Sequence, residues 1–119
     1  MTNLDDFFQT LYNNFNDRNI DHVISQMTDD VKWANGMEGG HVHGHEGVRQ
    51  YWTKQFTLVS ARVTPLEITD ENGVVKIKVH QVVHDLQGQL LADEMVWHFF
   101  TLKDHKIELF DIGEKVVSS

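Results

Sequence analysis

Eight histidines and no cysteine occur among the 119 residues. Imidazole is therefore the group best suited to move a proton or bind a metal near neutral pH. His98 is the leading candidate for acid/base work, because its ring can give or take a proton at that pH. A buried neutral ring, fixed by Asn35 or Glu94 and serving only to hold the structure or orient a ligand, is the alternative. Glu94, if it faces inward, either orients His98 or acts as a base; otherwise it sits at a pocket rim in water, where glutamate is commonest. Asn35 and Gln81 carry amides suited to a carbonyl or hydroxyl, with Trp33 beside them. Each amide can equally satisfy nearby backbone groups. Tyr51, Trp52 and Phe56 could form pocket walls, although aromatics on helical rows are more often core.

His41, His43 and His45 alternate, a spacing that could ligate a metal from an extended segment. Gly36, Gly39, Gly40 and Gly44 instead make this stretch read as a loop, a candidate pocket lid, with His45 belonging to the helix that follows. No metal is expected. With no glycine-rich phosphate loop and no nucleophile elbow in the chain, no cofactor is expected either.

The elements that must position these residues fall into two halves. Asn3 can cap a first helix with Asp5 and Asp6 in its first turn, and Phe7, Leu11 and Phe15 recur at four-residue spacing beside Phe8 and Tyr12. A short second helix after Asn19 buries Ile20, Val23, Ile24 and Met27. Alternation over Asp30–Asn35 predicts a strand with Val31, Trp33 and Asn35 on one face. A third helix runs from about His45 to Val59, burying Val48, Tyr51, Trp52, Phe56 and Val59. From Arg62 the period becomes two, and strands are predicted near Arg62–Thr69, Val74–Asp85, Gln89–Leu102 and Lys106–Ile112. Asn72-Gly73, Gln87-Gly88 and Lys103-Asp104-His105 supply their turns. Pro65, the one proline, makes the first of these strands an edge or a bulged strand.

A two-residue turn at Gln87-Gly88 pairs Gln81 with Glu94, Val79 with Val96 and Ile77 with His98. Lys76 and Lys78 avoid the core, so Val75, Ile77, Val79, Gln81 and Val83 point inward, with Ala92, Glu94, Val96, His98 and Phe100 opposite them. Gln81, Glu94 and His98 are then the polar groups on an apolar face, and they need partners or a ligand. The outer face carries His80, Val82, His84, Met95, Trp97 and Phe99. Its exposed aromatic patch predicts a homodimer through the sheet. A β-bulge within the hairpin would exchange the two faces.

Composition narrows the class. The length suits one domain over residues 1–119. Ten basic against eighteen acidic residues give a formal charge of -8, which opposes binding to nucleic acid or anionic membranes. No apolar run approaches a transmembrane length, and the opening MTNLDD does not read as a signal peptide, so the cytoplasm is the default location.

Three stretches carry a family resemblance: Asp30-Val31-Lys32-Trp33-Ala34-Asn35-Gly36-Met37-Glu38-Gly39-Gly40, then Val42-His43-Gly44-His45-Glu46-Gly47-Val48-Arg49-Gln50-Tyr51-Trp52, and His80-Gln81-Val82-Val83-His84-Asp85. With the closing Phe110-Asp111-Ile112 and the element order, the chain resembles the SnoaL-like branch of the nuclear transport factor 2-like superfamily. The resemblance implies an α+β, cystatin-like closed cone in the order α-α-β-α-β-β-β-β, with three N-terminal helices packed in a strongly curved mixed or antiparallel sheet. It implies a pocket for a small, apolar, oxygenated molecule, with acid/base chemistry of the isomerase, cyclase or lyase kind, or else a non-catalytic binding or dimeric interaction module. In the related ketosteroid isomerases the general-base aspartate falls at Asn35, the proton-donating aspartate at His98, and the tyrosine donor at Leu11. Tyr12 lies one position away, on a different side of the helix. An amide cannot serve as the base, so the resemblance carries over the location of the site but not that mechanism.

Overall fold

A computed structural model describes residues 4–36 and 38–115; the cap expected at Asn3 lies outside the described residues. The elements are α1 (Leu4–Asn16), α2 (Ile20–Ser25), β1 (Met27–Ala34), β2 (His41–His43), α3 (Gly44–Phe56), β3 (Val59–Glu71), β4 (Val74–Asp85), β5 (Leu90–Lys103) and β6 (Lys106–Lys115). One curved sheet runs in the order β2-β1-β6-β5-β4-β3. It is mixed, since β1 pairs parallel to β6 while the other pairings are antiparallel. The cone is not closed, because β2 and β3 remain as edges.

Short-range chemistry accounts for most of these bounds. Asp5 and Asp6 lie in the first turn of α1, where negative charge meets the helix N-terminus favourably. Phe8, Leu11 and Tyr12 form its buried stripe. Left-handed Asn72 and Gly73 close β3–β4, and left-handed Asp104 and His105 close β5–β6 between paired Lys103 and Lys106. Pro65 sits in edge strand β3 beside a register shift, where its missing N–H costs no ladder bond. The amide of Asn16 caps that open edge: its Nδ2 donates to the Val63 carbonyl at 2.7 Å and its Oδ1 accepts from the Val63 N–H at 2.9 Å.

Several bounds differ from the sequence expectation. Met27 opens β1 instead of closing α2, and α3 stops at Phe56, releasing Val59 to β3. The histidine stretch after the glycines is not all loop, because His41–His43 pair with β1 as β2. The β4–β5 turn spans Leu86, Gln87 and left-handed Gly88, with Asp85 donating its N–H to Gln89 and accepting from Gly88. That three-residue turn moves the register by one, and the bulge between Val83 and His84 moves it back. Gln81↔Glu94, Val79↔Val96 and Ile77↔His98 are therefore paired as expected.

The inner face packs Ile77, Val79, Val96 and Phe100 against Phe8, Met27, Val31, Val48 and Trp52. On the outer face, Met95, Trp97 and Phe99 are half-buried within the single chain, which corrects the expectation that they are exposed. The Lys76 ammonium lies 4.3 Å over the Trp97 ring, and Phe99 lies across Gly113. A Cβ built at Gly113 would come within 2.5 Å of Phe99 Cε2 and 3.0 Å of Trp97 Cβ. Gly113→Ala should therefore destabilise the fold by about 1–3 kcal/mol, the usual cost of overpacking. A lower midpoint of urea unfolding at an unchanged slope would show this.

Candidate functional site

Between the helices and the inner face of the sheet lies a cavity of about 530 Å³. Leu11, Tyr12 and Phe15 come from α1, Val23 from α2, Trp33 and Ala34 from β1, His41 from β2, Tyr51, Trp52 and Gln55 from α3, and the rest of the lining from β3–β6 and the β1–β2 turn. Aromatic rings fix the walls: Trp33 stacks on Phe110 at 4.2 Å between centroids, and Trp52 meets Trp33 edge-on at 5.3 Å.

His98 is the one buried polar residue among the described residues, at 6% exposure. Its Nδ1 lies 2.6 Å from the Tyr12 hydroxyl. His98 is the hydrogen-bond partner of Tyr12 among the described residues, so the phenol O–H has that nitrogen as its acceptor. We therefore assign the ring proton to Nε2, leaving an N–H donor for the cavity. Burial lowers the His98 pKa from 6.5 to about 3, because its apolar surroundings penalise the cation. Burial also raises the Tyr12 pKa well above 10. Both groups are consequently neutral at ordinary pH. The site offers hydrogen-bond donation and no resident proton on an imidazolium.

The two expected anchors of His98, Asn35 and Glu94, are replaced by Tyr12. The expectation set Tyr12 on a different side of α1 from Leu11, yet both are buried and both line the cavity. Neighbouring helix positions differ by about 100°, which fits within a wide apolar stripe. The pairing of β5 was legible; the breadth of this stripe was the signal that sequence reasoning missed.

Of the residues singled out from sequence, Trp33, Asn35, Tyr51, Trp52, Gln81, Glu94 and His98 line the one cavity. Phe56 does not. It packs against Phe15 at 5.6 Å between centroids and beneath the Arg18 guanidinium at 4.3 Å, and is not part of the cavity lining. Asn35 has a structural task at the rim: its Oδ1 accepts from the Glu38 N–H at 2.9 Å and its backbone bonds to Gly39 and Gly40. The Gly36 N–H donates to the Tyr51 hydroxyl at 3.0 Å, fastening the same turn to α3. Burial raises the Tyr51 pKa, opposed by that backbone bond.

The rim also holds a pair that sequence reasoning passed over. His41 Nε2 lies 2.6 Å from Asp111 Oδ1. His41 faces Ala34 across β1–β2, and Trp33 beside it faces Phe110 across β1–β6. The small Ala34 thus lets the imidazole span an intervening strand. His45 Nε2 donates to the Met27 carbonyl at 3.0 Å, and His43, preceding α3, is exposed. Among the described residues, no group of three or more His, Cys, Asp or Glu side chains is placed to hold a metal ion. No described helix is long and apolar enough to cross a membrane.

A profile of the SnoaL-like domain family matches residues 8–110. No curated protein matches the chain. Among solved structures, TerC co-crystallised with polyporic acid is similar at 27% identity and TM-score 0.79, over 88% of this chain and 85% of that one. An NTF2-like protein of unknown function from Burkholderia pseudomallei is 22% identical, with TM-score 0.82, over 94% of this chain and 90% of that one. An LEH-like epoxide hydrolase from M. tuberculosis is 17% identical, with TM-score 0.74, over 89% of this chain and 77% of that one. The latter two likenesses are of fold.

The state of His98 has a thermodynamic consequence. The unfolded chain takes up the proton near pH 6.5 and the folded one only near 3, so the contribution of His98 to stability is full above 6.5 and lost as pH falls toward 3. Between pH 7 and pH 5 wild type should lose about 2 kcal/mol more than His98→Phe. Urea unfolding of both proteins at the two pH values measures the difference; equal losses would place the imidazole in water.

Proposed function

The chain belongs to the SnoaL-like domain family, and on that premise we propose that it binds a small, largely apolar, oxygenated molecule whose oxygen accepts a hydrogen bond from His98. The Tyr12–His98 hydrogen bond facing an aromatic cavity carries this reading. A neutral imidazole, fixed at Nδ1 by a phenol, presents Nε2–H to a carbonyl or phenolic oxygen and polarises it without giving up the proton. TerC, the 27%-identical neighbour, was co-crystallised with polyporic acid, which supports a small oxygenated organic ligand for this pocket as well. Trp33, Tyr51 and Trp52 would wall the ligand. Turnover requires a base in addition, and steroid-type double-bond isomerisation is not expected, because Asn35 stands where the resemblance puts the carboxylate. Glu94, four residues from His98 along β5, stands about 13 Å away at roughly 3.3 Å per residue, too far to remove a proton beside a carbonyl held by His98.

Calorimetry with two probes separates polar recognition from greasy fit. Wild type should bind 4-phenylcyclohexanone, and His98→Phe should weaken that binding by roughly 1–3 kcal/mol while leaving phenylcyclohexane unchanged. Equal loss for both probes would remove the hydrogen-bond role. In deuterated buffer, exchange of the ketone's α-protons that is catalysed by wild type and abolished by His98→Phe identifies an enzyme. Binding without exchange identifies a non-catalytic module.

We further propose that the outer face of β4–β6 seats a second copy of the chain. Met95, Trp97 and Phe99 retain part of their surface there, and a two-fold axis through this aromatic stripe would bury it against the same stripe of the other copy. Light scattering at micromolar concentration should give about twice the 13.8 kDa chain mass; a monomer would refute the interface.

A further inference from the structure

The cavity has two polar stations, and His98 accounts for only one. Gln81 and Glu94 are direct partners across β4–β5, and both line the same cavity. Glu94 precedes His98 by four residues on β5, so the two stations stand about 13 Å apart along the strand at roughly 3.3 Å per residue. Between them the inner face is apolar, with Val96 on β5 and Val79 on β4, both buried. His98 is buried at one station, whereas Gln81 and Glu94 at the other are half-buried. The stations also differ in kind. The imidazole, bonded to Tyr12 at Nδ1, presents a donor. The Gln81 amide can donate and accept, and the Glu94 carboxylate beside it accepts and repels anions.

We infer that Gln81, seated opposite Glu94, forms a second polar subsite that selects an elongated ligand with a carbonyl at one end and a hydroxyl at the other. The carbonyl enters first and meets His98. The two-ring or similarly long apolar middle lies along Val63 and Val96 against Trp33 and Trp52, and the hydroxyl stops at Gln81, donating to its amide oxygen. An anionic group at that outer end is disfavoured by the adjacent carboxylate and by the net charge of -8. This inference rests on the proposed binding of an oxygenated ligand in the pocket and adds the ligand's length and polarity.

Three probes test it by calorimetry: 4-(4-hydroxyphenyl)cyclohexanone, which carries both groups, 4-phenylcyclohexanone, which lacks the hydroxyl, and 4-cyclohexylphenol, which lacks the carbonyl. Wild type should bind the first about tenfold more tightly than either of the others, the value of one satisfied hydrogen bond at each station. Gln81→Leu should reduce the first probe to the affinity of 4-phenylcyclohexanone and leave 4-phenylcyclohexanone itself unchanged. Equal wild-type affinity for the first two probes overturns the subsite and leaves the His98 station standing. A Gln81→Leu protein that weakens both alike also overturns it, by showing a structural role. Failure of all three probes to bind wild type overturns the pocket reading and the subsite together. The wild-type comparison needs no variant, so the inference is decided even where Gln81→Leu does not fold.

Discussion

Parity across β4 and β5 governs everything the cavity contains. Successive side chains on a strand point to opposite faces, so a slip of one residue would send His98 outward and bring Trp97 in. Two irregularities at the tip of the hairpin, a three-residue turn and a bulge one step further in, shift the pairing in opposite senses. Their effects cancel before Val83. The lysines on β4 hold the same choice from the other side, since Lys76 and Lys78 cannot enter the core without a partner. Lys76 instead lies over Trp97, covering with its stem and charge an aromatic face that would otherwise be bare.

Once His98 is inward, its state follows from its surroundings. Phe110 lies 4.9 Å from the imidazole edge-on and Phe100 stands at 6.3 Å, so neither ring supplies the hydrogen bonds a cation needs. Among the described residues its hydrogen-bond partner is a phenol whose own ionisation burial suppresses. The pair is satisfied as two neutral groups, and ionising either would leave a charge against aromatic carbon. A carboxylic acid at the same position would face a harsher version of the same constraint. Histidine gives a donor at smaller cost, and in exchange it gives up the stronger acid.

The sequence made the inner face of the sheet legible because alternation and two lysines determine it, and because strong turns flank the strands. Val74–Asp85 has the same ends in the structure as in the sequence reading. Residues on helices were read less well. Tyr12 was set aside on a single-position argument that a stripe more than one residue wide does not respect. Phe56 was grouped with Tyr51 and Trp52 as a wall residue, but Phe15 and Arg18 occupy its surroundings, which is the core role that aromatics on helical rows more often take. The short β2 reads as loop in the sequence because the glycines on either side outweigh the alternation of only three residues. Its existence depends on β1 offering an edge, which is a tertiary fact.

Asn35 shows how the same residue can satisfy the fold and shape the chemistry. By accepting from Glu38 it folds the turn at the rim, which Tyr51 then ties to α3 through Gly36. An aspartate could make the same turn, since its oxygen would accept the same N–H, so the turn alone does not require an amide. The amide does remove a negative charge from a rim that already holds Asp111, with Glu94 on the lining nearby. A site that polarises an oxygen through a neutral donor gains most when the oxygen is free to develop negative charge. A further carboxylate facing the cavity would oppose that development. The neutral His98 station and the amide at position 35 therefore favour the same outcome: a pocket that tolerates electron density on its ligand without supplying a carboxylate base where the isomerases keep one.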